Sequence, residues 1–363
     1  MGTSAAASAS LPPLYSPWIE EVLGGSVPEE RHATCSSCAM CRPANAAAAT
    51  GSLTEFDPAI KCCTYVPTLP NFLVGMVLKD GDPAAAAGRE SVERRIAAGV
   101  GVTPLGLQSD PRDALIYKHA GGPLFGRAAG LRCPHYRPEA GGLCGIWRHR
   151  NAVCATWFCK YERGMVGKRF WDALRQLLTI AERHLALWAA AKLGEPLSGL
   201  GPALLPYYAT VLDSAGSTWS PQWADRSGEF YRASAKLVNS LAWTDLSDIG
   251  GPELALAAGQ LRAAYAGLRS EGVSGYLRLG TVNSFPRADG QRAVFGYSPY
   301  DMPILPEAAV RGLDRFDGRR ATEQVCEELS AELGTPFDQS TVLRLADFGV
   351  LGAVQGGKEA ETC

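Results

Sequence analysis

From residue 168 to residue 193, apolar side chains return every three or four positions: Phe170, Leu174, Leu177, Leu178, Ala181, Leu185 and Trp188. That period places them on one face of a helix, with Glu182 and His184 on or near its polar side. Shorter patterns predict helices over residues 229–243 and 252–268. The second opens on Pro252, which a first turn tolerates because its N–H would have no partner inside the helix. Upstream, residues 64–75 read Thr-Tyr-Val-Pro-Thr-Leu-Pro-Asn-Phe-Leu-Val-Gly, apolar but twice interrupted by proline. Proline disfavours helix at the residue before it, so an extended segment should lead into a short helix over residues 72–78.

The pattern changes near residue 273. Residues 276–282 and 292–297 have strand character, with Asp289-Gly290 as a tight turn between them. Helices are predicted over residues 322–333 and 340–348, and Gly349-Val-Leu-Gly-Ala-Val turns into a last strand. Strands, short helices and a terminal strand make a winged-helix-like module over residues 273–355. Cys326 falls in the helical apolar pattern Val325-Cys326-Leu329-Leu333, which makes it a core residue.

The same reading divides the whole chain. Residues 1–30 form a loosely held arm, rich in Ala, Ser and Pro, whose Leu14, Tyr15, Trp18 and Ile19 can dock on the body. Residues 31–165 are a cysteine-rich domain with soft Ala- and Gly-rich stretches at 43–52 and 81–88. Residues 166–272 are helical, residues 273–355 are the small module, and residues 356–363 are a polar tail that includes Cys363. The fold class expected is α+β and mainly helical.

Composition narrows the function classes. With 363 residues and 46% hydrophobic content the chain can bury a sizeable core in two or three domains. A formal net charge of −2 argues against a strongly basic nucleic-acid surface. The start, Met1-Gly-Thr-Ser-Ala-Ala-Ala-Ser-Ala-Ser, lacks the basic and apolar runs of a secretory signal. The most apolar stretch, residues 174–193, is broken by Arg175, Glu182, Arg183 and His184 and is a poor bilayer span. A cytoplasmic protein without membrane attachment is expected.

The cysteines change the picture most. Nine of eleven fall between Cys35 and Cys159. The first group is Cys35-x2-Cys38-x2-Cys41, followed by the adjacent pair Cys62-Cys63. The second contains Cys133-Pro-His-Tyr, Gly142-Leu-Cys144-Gly-Ile-Trp and Arg150-Asn-Ala-Val-Cys154-Ala-Thr-Trp-Phe-Cys159. Two residues between cysteines let the backbone turn around a metal while both thiolates point inward, in zinc sites and iron–sulfur clusters alike. Disulfide frameworks belong chiefly to small secreted domains, and a chain of this size needs no such staples. All nine cysteines are therefore candidate soft-metal ligands.

The succession Cys133-Pro-His-Tyr, Gly142-Leu-Cys144-Gly-Ile-Trp-Arg-His-Arg and Cys154 resembles the YkgJ-type cysteine-cluster family. Members carry an upstream Cys-x2-Cys-Gly-x-Cys-Cys and a downstream Cys-Pro, Cys-x-Ile-Tyr and Arg-Pro-x-x-Cys. Cys35, Cys38 and Cys41 match the first three upstream cysteines. Arg42 stands in place of the fourth, and Cys62-Cys63 arrives after an insert. Cys133, Cys144 and Cys154 match downstream, with Trp147 for the usual tyrosine and Asn151 for the proline; Cys159 has no counterpart. The resemblance implies metal chelation, commonly as iron–sulfur. Nine thiolates suffice for one or two 4Fe-4S clusters, with zinc as the alternative. The Asp-Gly-Arg-Arg-x-Thr segment after Phe316 and the terminal Phe-Gly-Val-Leu are similar to PqqD-like domains, which implies that the C-terminal module holds a peptide.

His32, His135 and His149 lie near the proposed ligands and read more readily as hydrogen-bond partners or surface residues than as ligands. Arg132, Arg148 and Arg150 can compensate the charge of several thiolates. Trp147, Trp157, Phe158 and Tyr161 can shield a cluster or simply form a small core.

No Gly-x4-Gly-Lys-Ser/Thr, His-Glu-x2-His or Gly-x-Ser-x-Gly occurs, which removes the common nucleotide, zinc-protease and serine-hydrolase signatures. The radical-SAM Cys-x3-Cys-x2-Cys is missing as well. Three classes remain: a redox or peptide- or protein-modifying metalloenzyme, an electron-transfer or assembly partner without a substrate of its own, and a zinc-stabilised binding protein; a redox partner is a candidate companion.

Overall fold

Helices carry most of the regular structure in the computed structural model of the protein, which describes residues 11–31, 35, 38–41, 56–196, 219–270 and 272–354. The fold is mixed α+β and predominantly helical, with several small antiparallel sheets. The first ten residues of the arm, the stretch at 43–52, His32 and the tail with Cys363 lie outside the described residues. The chain forms two compact units, Met1–Trp157 with Trp171–Arg262 and Phe158–Phe170 with Ala263–Cys363.

In the first unit, α1 (Ser16–Leu23) starts with a proline in its first turn and stops at Gly24, whose φ of 63° suits a residue without Cβ. The arm predicted to be loose is pinned here. Tyr15 donates to Glu182 Oε1 at 2.5 Å, and Trp18 Nε1 donates to the Leu241 carbonyl at 2.9 Å. Next, β1 (Leu69–Pro70) leads into α2 (Asn71–Lys79), as the two prolines require. Asn71, fully buried, donates to the carbonyls of Pro104 and Ala186, both at 2.9 Å, and so fixes where α2 begins.

The stretch at 81–88 is no soft linker. Asp82 caps a short turn that runs into α3 (Ala86–Ala98). Few apolar residues mark this helix, and periodicity alone misses it. Strands β2 (Val102–Thr103) and β3 (Gly106–Leu107) pair antiparallel, and β3 also pairs with β1. Then come α4 (Pro111–Leu124), the two-residue hairpin β4 (Tyr136–Arg137) and β5 (Leu143–Cys144), and α5 (Ala152–Thr156).

The long helix α6 (Gly164–Lys192) buries the predicted stripe, with Phe170, Leu174, Leu177 and Leu178 at or near zero exposure. Glu182 does not lie on its polar side. It is 1% exposed, accepting from Tyr15 and, at 2.6 Å, from the Ala152 amide. A buried carboxylate costs free energy unless hydrogen-bonded, and these donors are supplied from elsewhere in the unit.

The predicted helix over residues 229–243 is shorter: α7 spans Ser227–Val238, and α8 (Trp243–Arg269) starts separately. Gly251, at φ 56° and ψ −148°, breaks α8 immediately before Pro252, and its second part restarts with that proline in the first turn. Helices α2 and α7 pack backbone against backbone at Gly75; a Cβ there would lie 1.8 Å from the Tyr231 carbonyl oxygen. Leu69, Val74, Val77, Phe230 and Tyr231 are at the centre of this core.

The second unit contains β6 (Tyr276–Leu279), β7 (Asn283–Pro286), β8 (Gln291–Phe295), β9 (Ile304–Pro306), α9 (Glu307–Gly312), β10 (Asp317–Ala321), α10 (Thr322–Leu333), α11 (Gln339–Asp347) and β11 (Leu351–Ala353). The turn at Asp289-Gly290 is present, but it joins β7 to β8, while β6 is the centre of a different sheet ordered β10-β6-β11. The tertiary partners of β6 lie 40 and 70 or so residues onward. Local alternation is blind to pairing at that distance. Helix α11 is capped by Asp338, which accepts from the Thr341 amide at 2.9 Å. Leu277, Val294, Phe316, Val325, Leu329 and Val342 form the core, with Cys326 packed against it as the apolar pattern predicts.

Candidate metal centre

The cysteine region is built from turns more than from helices. Cys41 closes a turn on the Cys38 carbonyl at 3.1 Å and forms an isolated bridge with Phe56. A tighter turn follows: Ile60 and Lys61 donate their amides to the Asp57 carbonyl at 2.9 and 2.7 Å, and Cys63 donates to that of Ile60 at 3.1 Å. Lys61 takes a positive φ of 54°, uncommon for a residue with a Cβ, so the turn holds it against a local preference.

A backbone link joins the cysteine groups that the sequence separates, and a local turn follows it. The Cys133 amide donates to the Cys63 carbonyl at 2.7 Å, and Tyr136 donates to Cys133 at 3.0 Å. Cys144 on β5 faces Tyr136 across the hairpin. Cys154 lies in α5, where Asn151, present where the resembling family has proline, accepts from the Cys154 amide at 3.0 Å as the helix cap. Its other end donates to the Thr68 carbonyl at 3.1 Å.

Eight thiols share one electrostatic neighbourhood in the first unit: Cys35, Cys38, Cys41, Cys62, Cys63, Cys133, Cys144 and Cys154. Burial, reinforced by neighbouring sulfurs, pushes Cys35, Cys41 and Cys144 up to about 12 and Cys133 up to about 11. Cys154 rises as well, again chiefly through burial. In the adjacent pair, Cys63 donates its S–H to Cys62, which lowers Cys62 and raises Cys63. Without metal, then, most of this set is neutral at physiological pH, and Cys62 is the thiol most disposed to ionise.

Two cations lie among them. Lys61, 7% exposed, donates through Nζ to the carbonyls of Cys35, of Gly141 at 2.9 Å and of Gly142 at 3.0 Å. Among the described residues it has no carboxylate partner, and its charge favours ionisation of the Cys35, Cys41 and Cys62 thiols. Arg150, 4% exposed, stacks 3.4 Å above the Trp147 ring, donates to the Trp147 carbonyl at 3.1 Å and the Cys154 carbonyl at 3.2 Å, and acts on Cys144, Cys35, Cys154 and Cys62. Burying a cation is costly without compensating charge.

The other expectations divide. Arg148 serves Asp82 at 3.3 Å and Asp80 at 3.9 Å instead of the thiols. His149 pairs with Asp80 at 2.8 Å. His135 is buried, with Nδ1 2.7 Å from Ser91 Oγ, and burial together with Arg95 pushes its imidazole down to about 3. Trp157 packs edge-on against Phe125 at 4.9 Å. Phe158 and Tyr161 belong to the second unit, as does Cys159. Lys61 was missed by sequence reasoning; its one signal is its place immediately before Cys62-Cys63.

Among the described residues, no three His, Cys, Asp or Glu side chains stand together as a ready-made metal site. The thiols are near enough to act on one another's charge without closing on an ion. None of the ten described cysteines forms a disulfide with another. No described helix is long and apolar enough to cross a membrane. Comparison with protein-family models, with curated proteins and with solved structures finds no match for the chain.

Proposed function

We propose that the eight thiols of the first unit hold a thiolate-ligated metal centre, iron–sulfur in type, and that the protein is a redox or peptide- or protein-modifying metalloenzyme. The observation that carries the reading is the buried Lys61 ammonium, set among Cys35, Cys41 and Cys62 without a carboxylate partner among the described residues. Neutral thiols do little to offset its desolvation, whereas a cluster held by thiolates carries net negative charge that the ammonium and the Arg150 guanidinium would balance.

The donor set fits such a group in softness and number. A bound cluster would supply one-electron chemistry at this place. The chain's own part is to deliver thiolates from turns, to shed their protons on loading and to draw the turns of residues 38–41 and 57–63 inward. Zinc held by the same thiolates is the alternative, and would make the region a fold-stabilising site.

In the second unit, the resemblance to peptide-holding domains agrees with β11, a short edge strand reading Leu-Gly-Ala beside β6. Strand addition needs backbone N–H groups along an exposed edge. Pro306 within β9 removes one there, whereas β11 keeps its own. A substrate peptide paired with β11 would be the way this unit serves the enzyme.

Protein purified without oxygen tests the reading through iron, zinc and acid-labile sulfide analysis with a visible spectrum. Iron with matching sulfide is expected. Zinc without sulfide selects the structural alternative, and metal-free protein of full stability removes both. Lys61→Met should lower the metal content, while Lys236→Met on α7 should not.

A further inference from the structure

A cleft of about 520 Å³ opens on the first unit between α3 and residues 132–139. Its size suits a small molecule. Four arginines line it, Arg94, Arg95, Arg132 and Arg137, against the carboxylates of Glu90 and Glu139. Glu90 is 4.0 Å from Arg94, and Glu139 is 3.1 Å from Arg137. Arg95 has no carboxylate partner among the described residues, and Arg132 acts only on the Glu139 carboxylate that Arg137 already pairs with, so the four guanidinium groups exceed the two carboxylates by two positive charges.

Arg95 is held in place by neutral partners. One of its terminal nitrogens donates to the Gln108 carbonyl at 2.5 Å, and the other lies 3.4 Å from His135 Nε2. Ser91 Oγ donates to the Gly88 carbonyl at 2.7 Å, so it accepts from His135 Nδ1, also at 2.7 Å. That assigns the imidazole proton to Nδ1 and leaves Nε2 as an acceptor facing Arg95. The guanidinium is thus oriented without being neutralised. Planar guanidinium forks match paired oxygens of carboxylate and phosphate, and orientation in advance lowers the entropy lost on binding.

We propose that this cleft binds the oxyanion group, carboxylate or phosphate, of a small-molecule ligand between Arg95 and Arg132. Cys133 lines the same cleft, which sets the ligand beside the thiols. The placement beside a metal centre rests on the function proposed above; the oxyanion site does not.

Calorimetric titration of the full chain, purified without oxygen, with inorganic phosphate and separately with citrate at constant ionic strength in sodium chloride tests the site. Saturable binding of phosphate, of citrate or of both is expected and names the group. Arg132 is exposed, so Arg132→Gln should fold normally and weaken binding by about tenfold or more, the worth of one charge-assisted hydrogen bond. Arg226→Gln, which removes an exposed pair with Glu229, is the control and should bind as the unaltered chain does. Binding of neither anion, or unchanged affinity in Arg132→Gln, overturns the site. If the anion binds and the visible spectrum of the loaded protein stays fixed, the placement beside the centre fails while the site stands. Anion binding by protein that is metal-free as purified and fully stable removes the metal reading and leaves the oxyanion site standing.

Discussion

The two units solve the problem of order by different means. In the second, Leu277, Val294, Phe316, Val325, Leu329 and Val342 are nearly or wholly buried, and apolar burial accounts for the packing in the ordinary way. In the cysteine region of the first, the buried groups include Lys61, His135, Arg150 and Asn151. Their position is set by carbonyl acceptors, a stacked ring and a helix cap. Apolar burial suffices to order a region of the first kind; a region of the second kind buries charges whose balance the proposed metal would complete.

The sharpest way to break this contrast is to remove the proposed metal. Cys38→Ser and Cys144→Ser should each lose it, with destabilisation of the cysteine region on the order of 10 kcal/mol, as in small metal-folded domains. Metal analysis with protease sensitivity of residues 35–159 reports it. Metal content in both variants equal to that of the unaltered chain would end the ligand assignment.

Acidity comes next, and it acts on the chelated protein. The thiols of Cys35, Cys41 and Cys144 are raised from 9.0 to about 12 by burial, so their contribution to stability is complete below pH 9 and lost as pH rises toward 12. His135 is depressed from 6.5 to about 3, so its contribution is present above pH 6.5 and lost as pH falls toward 3. Denaturant melts of the metal-free chain should show a plateau between these limits. The loaded protein should instead hold metal more tightly as pH rises, because binding expels thiol protons.

In the second unit, Leu329→Ala should cost about 2–5 kcal/mol through cavity formation, with metal content unchanged. Loss of metal in that variant would erase the distinction between the units. Asn151→Ala should cost about 1 kcal/mol as a lost helix cap, seen as a lower melting midpoint. Cys326→Ser should show the smallest effect, a slight destabilisation with full metal content, because this thiol packs against the second core.

Much of the helical layout was legible. The stripe of α6 and the limits of α10 follow from apolar period, because a helix face repeats within the reach of a local pattern. Helix α3 was not legible, since its sequence Ala-Ala-Gly-Arg-Glu-Ser-Val-Glu-Arg-Arg-Ile-Ala-Ala offers few apolar positions to count. The turn at Asp289-Gly290 was read correctly as a turn but assigned the wrong strand, because β6 pairs with β10 and β11. In the candidate centre, the cysteine spacing marked the donors, but not the cations among them.

By itself the sequence determined which residues carry soft donors, where most helices run and that Cys326 belongs to a core. Each of these depends on spacing within a few residues. Only the tertiary structure decided that Cys133 hangs on the Cys63 carbonyl, that Lys61 and Arg150 enter the thiol group, that Glu182 is a buried acceptor and that Arg95 lines a cleft. These depend on desolvation and on hydrogen bonds between segments tens of residues apart, and no local pattern encodes which distant carbonyl a buried donor will meet.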